Sequence, residues 1–262
     1  QGAMMQWMPS KHKENRLIYN DIKDGVFISR IIDVDSGKED IIPYPIYDVH
    51  PKGRYATSLS FEKLEHVRRG YGYPGGEKDR FDKPIAEKEG VYLIDLEKKR
   101  RALIISLEEL YNHKKLSTMD SGYHWIDQPA FNTDGTRICF LHRWKIDGGL
   151  FHSRFFTINP NGKDLFMFPD SGYYSHFIWK NSSEILMFCS ISESFGNVRK
   201  GSKSSKLFLK RIMPLYRKFV PRTLRKKVIP TRYFLLQDKK QDHTKIDICL
   251  LYTSPSPRDK RL

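Results

Sequence analysis

A tetrapeptide returns within this chain. Asp120-Ser121-Gly122-Tyr123 recurs as Asp170-Ser171-Gly172-Tyr173, 50 residues later. Each copy is followed by a histidine, His124 or His176, and then by an aromatic residue. The flanks repeat as well. Phe131-Asn132-Thr133-Asp134-Gly135 precedes an apolar strand, as Val49-His50-Pro51-Lys52-Gly53 does earlier. A second pattern, an apolar pair followed by Asp or Asn, a short turn and a basic residue, occurs three times. Its copies are Ile31-Ile32-Asp33-Val34-Asp35-Ser36-Gly37-Lys38, Tyr92-Leu93-Ile94-Asp95-Leu96-Glu97-Lys98-Lys99 and Phe156-Thr157-Ile158-Asn159-Pro160-Asn161-Gly162-Lys163. Short strands and turn residues at a period of roughly 45 to 60 residues specify a radial β-repeat. Each unit is one blade, which buries its faces only against its neighbours. The expected fold is all-β: an open arc of about four blades, each a four-stranded antiparallel sheet, with a basic helical insertion.

Four units are expected. The first covers 1–42, with strands at 4–8, 16–20, 26–33 and 40–43. The second covers 44–106 and contains a long loop at 65–90. A short helix is expected at 107–113, between blades. The third unit covers 123–169. The fourth begins at Tyr173, is interrupted, and resumes at Tyr233. Trp7 takes the place held by Phe131 and Trp179 in later units. In an open arc Trp7 faces solvent on one side, and Ile185, Met187 and 233–236 face it on the other.

The formal net charge of +15 is not spread over this scaffold. Segment 195–232 holds 13 Lys and Arg residues and no Asp or Glu, so the rest of the chain is close to neutral. Within it Leu207, Phe208, Ile212, Leu215, Tyr216, Phe219 and Val220 recur at helical spacing, broken by Pro214, Pro221 and Pro230. A basic amphipathic insertion reads as an element that docks on an anionic membrane surface or on a protein partner. A plain solvated insertion fits the same residues. Nucleic acid is the weakest reading, because no nucleic-acid-binding motif accompanies the charge.

Other chemistry is excluded by what is missing. There is no G-x-S-x-G nucleophile elbow, no Walker motif and no dinucleotide glycine motif. Cys139, Cys189 and Cys249 lack metal or redox spacing. The propeller is expected to occupy 1–248. Segment 249–262, with Ser254-Pro255-Ser256-Pro257, resembles a translated sequencing-adapter tail from a metagenomic reading frame and is expected to stand outside it. The start also reads as cut, at the inner strand of a blade. That leaves the compartment open between bacterial cytoplasm and periplasm.

The loop at 68–76 mixes Arg68 with Tyr71 and Tyr73. Guanidinium groups grip carboxylates and tyrosine faces stack on sugar rings, which suits an acidic oligosaccharide. A glycine-rich surface loop with no ligand is the competing reading. Three residues before the aromatic that ends each inner strand stand Met4, Ile46, Gln128 and His176. Period-two alternation sends these to the face opposite the aromatic, toward a central channel. His142 and Arg143 end the second strand of the third unit, where they are expected at the channel rim or at an exposed strand end. A strand histidine is as often a packed core group as a ligand, and that alternative stands for His124, His142 and His176.

The run His124-Trp125, Phe131 to Gly135, Phe140-Leu141-His142-Arg143-Trp144 and Ser175-His176-Phe177-Ile178-Trp179 resembles the oligogalacturonate lyase family. More broadly it resembles propellers of the TolB and WD40-like kind. The resemblance covers about residues 1–247. It implies metal-dependent β-elimination on a uronate oligosaccharide. A divalent metal such as manganese would be held by imidazoles and one glutamine, here His176 and Gln128. His124 or His142 would be the base, and Arg143 or Arg68 the carboxylate partner. The alternative is a propeller without catalysis, serving as a binding or scaffold module in polysaccharide metabolism or at a membrane surface. The chain by itself is expected to lack catalysis, since half of such a metal ring would come from further blades.

Overall fold

The computed structural model describes residues 4–9, 15–75, 85, 88–120, 122–146, 150–170, 173–190, 232–241 and 243–246. The insertion at 195–232, except Arg232, and the tail at 249–262 lie outside them.

Among the described residues sixteen strands form four antiparallel sheets of four, each in simple sequence order from its first strand outward. Blade one contains β1 (Gln6–Trp7), β2 (Arg16–Lys23), β3 (Val26–Asp33) and β4 (Glu39–Ile42). Blade two contains β5 (Asp48–Val49), β6 (Tyr55–Ser58), β7 (Gly90–Asp95) and β8 (Arg100–Ser106). Blade three contains β9 (His124–Phe131), β10 (Ile138–Ile146), β11 (Leu150–Ile158) and β12 (Phe166–Met167). Blade four contains β13 (Tyr173–Trp179), β14 (Glu184–Ser190), β15 (Arg232–Gln237) and β16 (His243–Ile246). The expected partial propeller is present.

Local chemistry explains the turns. Between β3 and β4 the Asp33 carboxylate accepts from the backbone and hydroxyl of Ser36, at 2.7 and 2.6 Å, and Gly37 takes φ +69°. Before β10 the Asn132 side chain accepts from Arg137 N at 3.0 Å, and Gly135 sits at φ +79°. A Cβ on Gly135 would lie 1.9 Å from His50 Nε2, so only glycine lets these two turns of neighbouring blades interlock. His50 packs its ring edge-on against Phe131 at 4.9 Å, as a structural residue.

The helix expected at 107–113 is α2 (Leu107–Asn112), closed by a reciprocal Ser106/Glu109 capping box. The loop read at 65–90 begins inside a helix instead, α1 (Phe61–Val67), capped by the Ser60 hydroxyl. The Ser60 cap and the Phe61/Leu64 spacing were the available signals.

The apolar cores lie between blades. One joins blades one and two through Ile18, Ile31, Ile46, Ala56 and Ile94. A second joins blades two and three through Phe61, Val91, Trp125, Phe131 and Phe156. A third joins blades three and four through Leu141, Phe155, Tyr174, Trp179, Ile185 and Met187. Polar stitches run along the inner strands. The Gln6 side chain donates to Tyr47 O and accepts from Val49 N, at 2.9 and 3.1 Å. One blade on, Asp48 accepts from Phe131 N at 2.7 Å. The corresponding position in blade three is Ala130, which cannot repeat the contact. There Asn132 donates to Ser182 O at 2.8 Å.

Trp7 is 65 % exposed, against 6 % for Phe131 and 8 % for Trp179, as its place on the outermost blade requires. The expectation for the other end needs correction. Ile185 and Met187 have no exposed surface, and Phe234 and Leu236 are buried, because alternation turns these residues toward blade three. The apolar residue of β13 that faces solvent is Ile178, 64 % exposed.

Candidate functional site

His124 and His142 come together, but inside the protein. They are neighbours on β9 and β10, with His124 Nδ1 and His142 Nε2 3.0 Å apart. The other nitrogen of His124, Nε2, lies 2.9 Å from Met119 O. A carbonyl can only accept, so Nε2 carries the proton of His124 and Nδ1 accepts from His142 Nε2–H. Trp144 stacks on His152 at 4.3 Å and on His124 at 5.7 Å, extending the layer. His124, His142, Trp144 and His152 all have zero exposure. Burial is the main cause that pulls His124 down to about 4, helped by the charges of Lys63 and Arg154 and opposed by the Met119 carbonyl. His142 is held well below the ordinary range by burial first. Both rings are neutral and sealed. The role of an accessible base, expected for one of them, is corrected by this enclosure.

Arg143 is also buried, and it has company that sequence reasoning did not supply. It faces the same side of blade three as Asp127, whose Oδ2 accepts from Arg143 Nη1 at 2.7 Å. The same oxygen accepts from Arg68 Nη1 at 2.8 Å. Arg68 comes from blade two, where it ends α1. Two of the residues singled out as carboxylate partners therefore meet on one carboxylate. Arg143 also donates to Tyr174 O of blade four at 3.2 Å, so the cluster ties three blades. Burial lowers the Arg143 pKa, the Asp127 charge opposes that, and the charge of Arg68 adds to it.

Aromatic rings surround the guanidinium groups. Tyr71 lies under Arg68 at 3.4 Å, and Phe151 sits 5.1 Å from Arg143 and 5.9 Å from Arg68. Tyr71 is 38 % exposed, while the Arg68 side chain keeps 25 % and that of Asp127 none. Asp127 Oδ1, Gln128 Oε1 and Arg143 Nε are buried without a hydrogen-bond partner among the described residues. Asp127 had one signal in the sequence: an acidic residue inside a mostly apolar inner strand, which is buried only if paired.

Tyr73 does not join this cluster. Its ring stacks on Phe61 at 4.5 Å and leans on Phe27 at 5.3 Å, and its hydroxyl accepts from Asn20 at 2.9 Å. It is a packing wedge between blades one and two, and its expected place in the substrate loop is corrected accordingly.

Gln128 and His176 occupy equivalent positions, for a reason other than the one expected. In β9 the register slips so that Gln128 and Pro129 face the single residue Phe140. In β13 Ser175 and His176 face Phe188 in the same way. Both are β-bulges, and Gln128 takes φ +55° there. Alternation restarts at a bulge, so counting three back from the aromatic does not fix the face of either side chain. His176 is exposed. Met4, the first-blade counterpart, packs against apolar cores, and Ile46 is fully buried. Among the described residues no group of three or more His, Cys, Asp or Glu could hold a metal ion. Gln128 and His176 by themselves do not make the manganese centre that the resemblance implies.

No protein-family model and no curated protein matches the chain. Solved structures similar to it include a TolB-type protein from Agrobacterium tumefaciens, with 10 % identity and a TM-score of 0.44 over 88 % of this chain and 60 % of that one. An oligogalacturonate lyase in complex with manganese has 15 % identity and a TM-score of 0.40, over 69 % of this chain and 48 % of that one. The β-propeller domain of the Trilobed protease from Pyrococcus furiosus has 10 % identity and a TM-score of 0.42, over 93 % and 57 %. The chain thus spans less than two thirds of each of these. The propeller assignment rests on its own sheets and inter-blade cores.

Proposed function

We propose that this chain is a non-catalytic propeller that binds an acidic oligosaccharide at the Arg68–Asp127–Arg143 cluster. The observation that carries the reading is the charge count at that point: two guanidinium groups share one carboxylate oxygen. Among the described residues one positive charge is left without a counter-ion in a partly dry setting, where an anionic ligand gains most. Tyr71 and Phe151 supply the flat faces on which a sugar ring stacks.

Metal-dependent β-elimination would need an accessible base and a metal beside the same carboxylate. His124 and His142 are sealed in the blade, and that favours binding over catalysis.

Calorimetric titration of the chain with oligogalacturonate tests the reading. Saturable binding is expected, weakened at least tenfold by Arg68→Ala. That variant leaves Asp127 paired with Arg143 and α1 capped through backbone, so the fold persists. Ultraviolet absorbance is expected to stay flat with added manganese, since no unsaturated uronate forms. Absent binding would sink the proposal, and a manganese-dependent rise in absorbance would restore the lyase reading.

A further inference from the structure

Blade four is apolar on both sides. Residues paired across β13, β14 and β15 share a face, so the register assigns each of them. Trp179, Ile185 and Leu236 form one row and Met187 and Phe234 another, and both rows fill the core against blade three. The rows between them turn the other way: Ile178, Leu186 and Leu235 in one, Phe188 and Tyr233 in the other. A sheet with one solvated face alternates apolar and polar residues. Residues 185–189 and 233–236 are instead unbroken apolar runs, the pattern of strands covered on both faces.

Blade one has the same character on its far side. Ile18 and Ile31 belong to the core against blade two. Their strand neighbours Leu17 and Ile32, with Trp7 in register beside Leu17, therefore face away from it. Met5, two residues before Trp7, shares that face, and the two are 64 and 65 % exposed. Among the described residues no apolar core joins blade one to blade four.

The internal seams show what such faces are shaped to meet. The inner-strand aromatic of each later blade packs back on the blade before it, Phe131 on blade two and Trp179 on blade three. The residue before that place reaches forward instead. Gln6 accepts from Val49 N of blade two at 3.1 Å, and Asp48 accepts from Phe131 N of blade three at 2.7 Å. Ile178 holds the forward-reaching place in blade four, and Trp7 holds the backward-packing place in blade one. Continued by one step, the seam sets Ile178 against Trp7, which stand at opposite ends of one arc.

We infer that blade four of one copy packs on blade one of a second copy, so that two arcs of four sheets close a ring of eight. Closed propellers hold about 4 to 8 blades. A two-fold axis makes both joints at once, because each copy offers both faces. The joint continues a seam the chain already builds internally, and it does not depend on whether a sugar binds.

Size-exclusion chromatography with light scattering tests this on the whole chain. The parent is expected at about twice the mass of one chain. Trp7→Glu and Ile178→Lys should each halve that mass. Both side chains are mostly exposed, so neither change enters a packed core, and a circular dichroism melt checks the fold. An equimolar mixture of the two variants should regain the two-chain mass. One joint then brings the introduced carboxylate and ammonium together, and the other joint is unaltered. A monomeric parent overturns the inference and assigns both faces to other occupants, whether a further segment of the same chain or a different protein. A ladder of larger species overturns the closed ring. If Ile178→Lys stays dimeric, or the mixture stays monomeric, the pairing of these two faces is wrong.

Discussion

Asp48 and His124 titrate in opposite senses, the first half-buried and the second buried, and the ordinary charge of each is opposed. Burial is the main cause that raises the Asp48 carboxyl to about 6, against the hydrogen bonds it accepts from Phe131 N and Val49 N. A group raised in the folded state stabilises fully below its unfolded pKa, near 4, and loses that contribution as pH climbs through 6. For Asp48 the loss is on the order of 3 kcal/mol. His124 is lowered to about 4, so its neutral form favours the fold above 6.5. That advantage disappears as pH falls from 6.5 through 4, again on the order of 3 kcal/mol. Between pH 4 and 6 the two trends largely offset each other. Asp48→Asn removes one of them and keeps an acceptor for Phe131 N. In urea unfolding this variant should be more stable than the parent by about 3 kcal/mol at pH 7 and equal to it at pH 4. A difference that does not vary with pH would show that Asp48 is not the titrating group. No local signal marks this carboxylate, because β9, which packs against it, lies some 80 residues along the chain.

The elements show which local rules reach across a sheet. The turns, the α2 capping box and most strand positions were legible, since each depends on residues a few positions apart. The β9 and β13 bulges were not. An extra residue leaves no compositional trace, and the period-two count ran straight through it. Arg137, in the turn before β10, shows how one such element is anchored. Its guanidinium reaches Asn159 Oδ1 and Thr157 Oγ1 within blade three, at 2.8 and 2.6 Å, and Asp238 of blade four at 2.8 Å. The side chains of Arg137 and Asp238 are only 6 and 7 % exposed. Arg137→Ala leaves that carboxylate with the Thr157 hydroxyl but without its guanidinium, which costs about 3–5 kcal/mol. Hydrogen exchange should then accelerate first in β14 and β15, before blade one is affected. Uniform acceleration across all four blades would show that this contact does not hold the seam.

Across the whole molecule the repeat predicted blades and seams correctly, because the core of a propeller lies between units and each unit announces itself in sequence. The site was legible only in part. Arg68, Tyr71 and Arg143 were chosen for their chemistry, and the structure gathers them. Asp127 organises them, and its one local signal, an acid inside a mostly apolar strand, does not say which residues of two blades pair with it. The outermost surface is an apolar one: Met5 and Trp7 are 64 and 65 % exposed, whereas the aromatic at that place in blades three and four is covered. Such a face drives association. Size-exclusion chromatography with light scattering is expected to show oligomers for the parent chain, with a shift toward monomer in Trp7→Ser. An identical profile for the two would assign the association to another surface.

The bulge at Gln128 makes the length of β9 informative in its own right. With the extra residue, Asp127 and Ala130 look to one side, and Ile126 and Phe131 to the other. In a regular strand that kept the same residues, Asp127, four positions before Phe131, would share its side. Either the acid would leave the guanidinium pair or the aromatic would leave the core between blades two and three. The inner strand thus works like a reading frame. The bulge resets the parity, so that a buried charge and a packing aromatic four residues apart face opposite sides. A change that straightened the bulge without removing any residue would erase the site as surely as replacing Asp127.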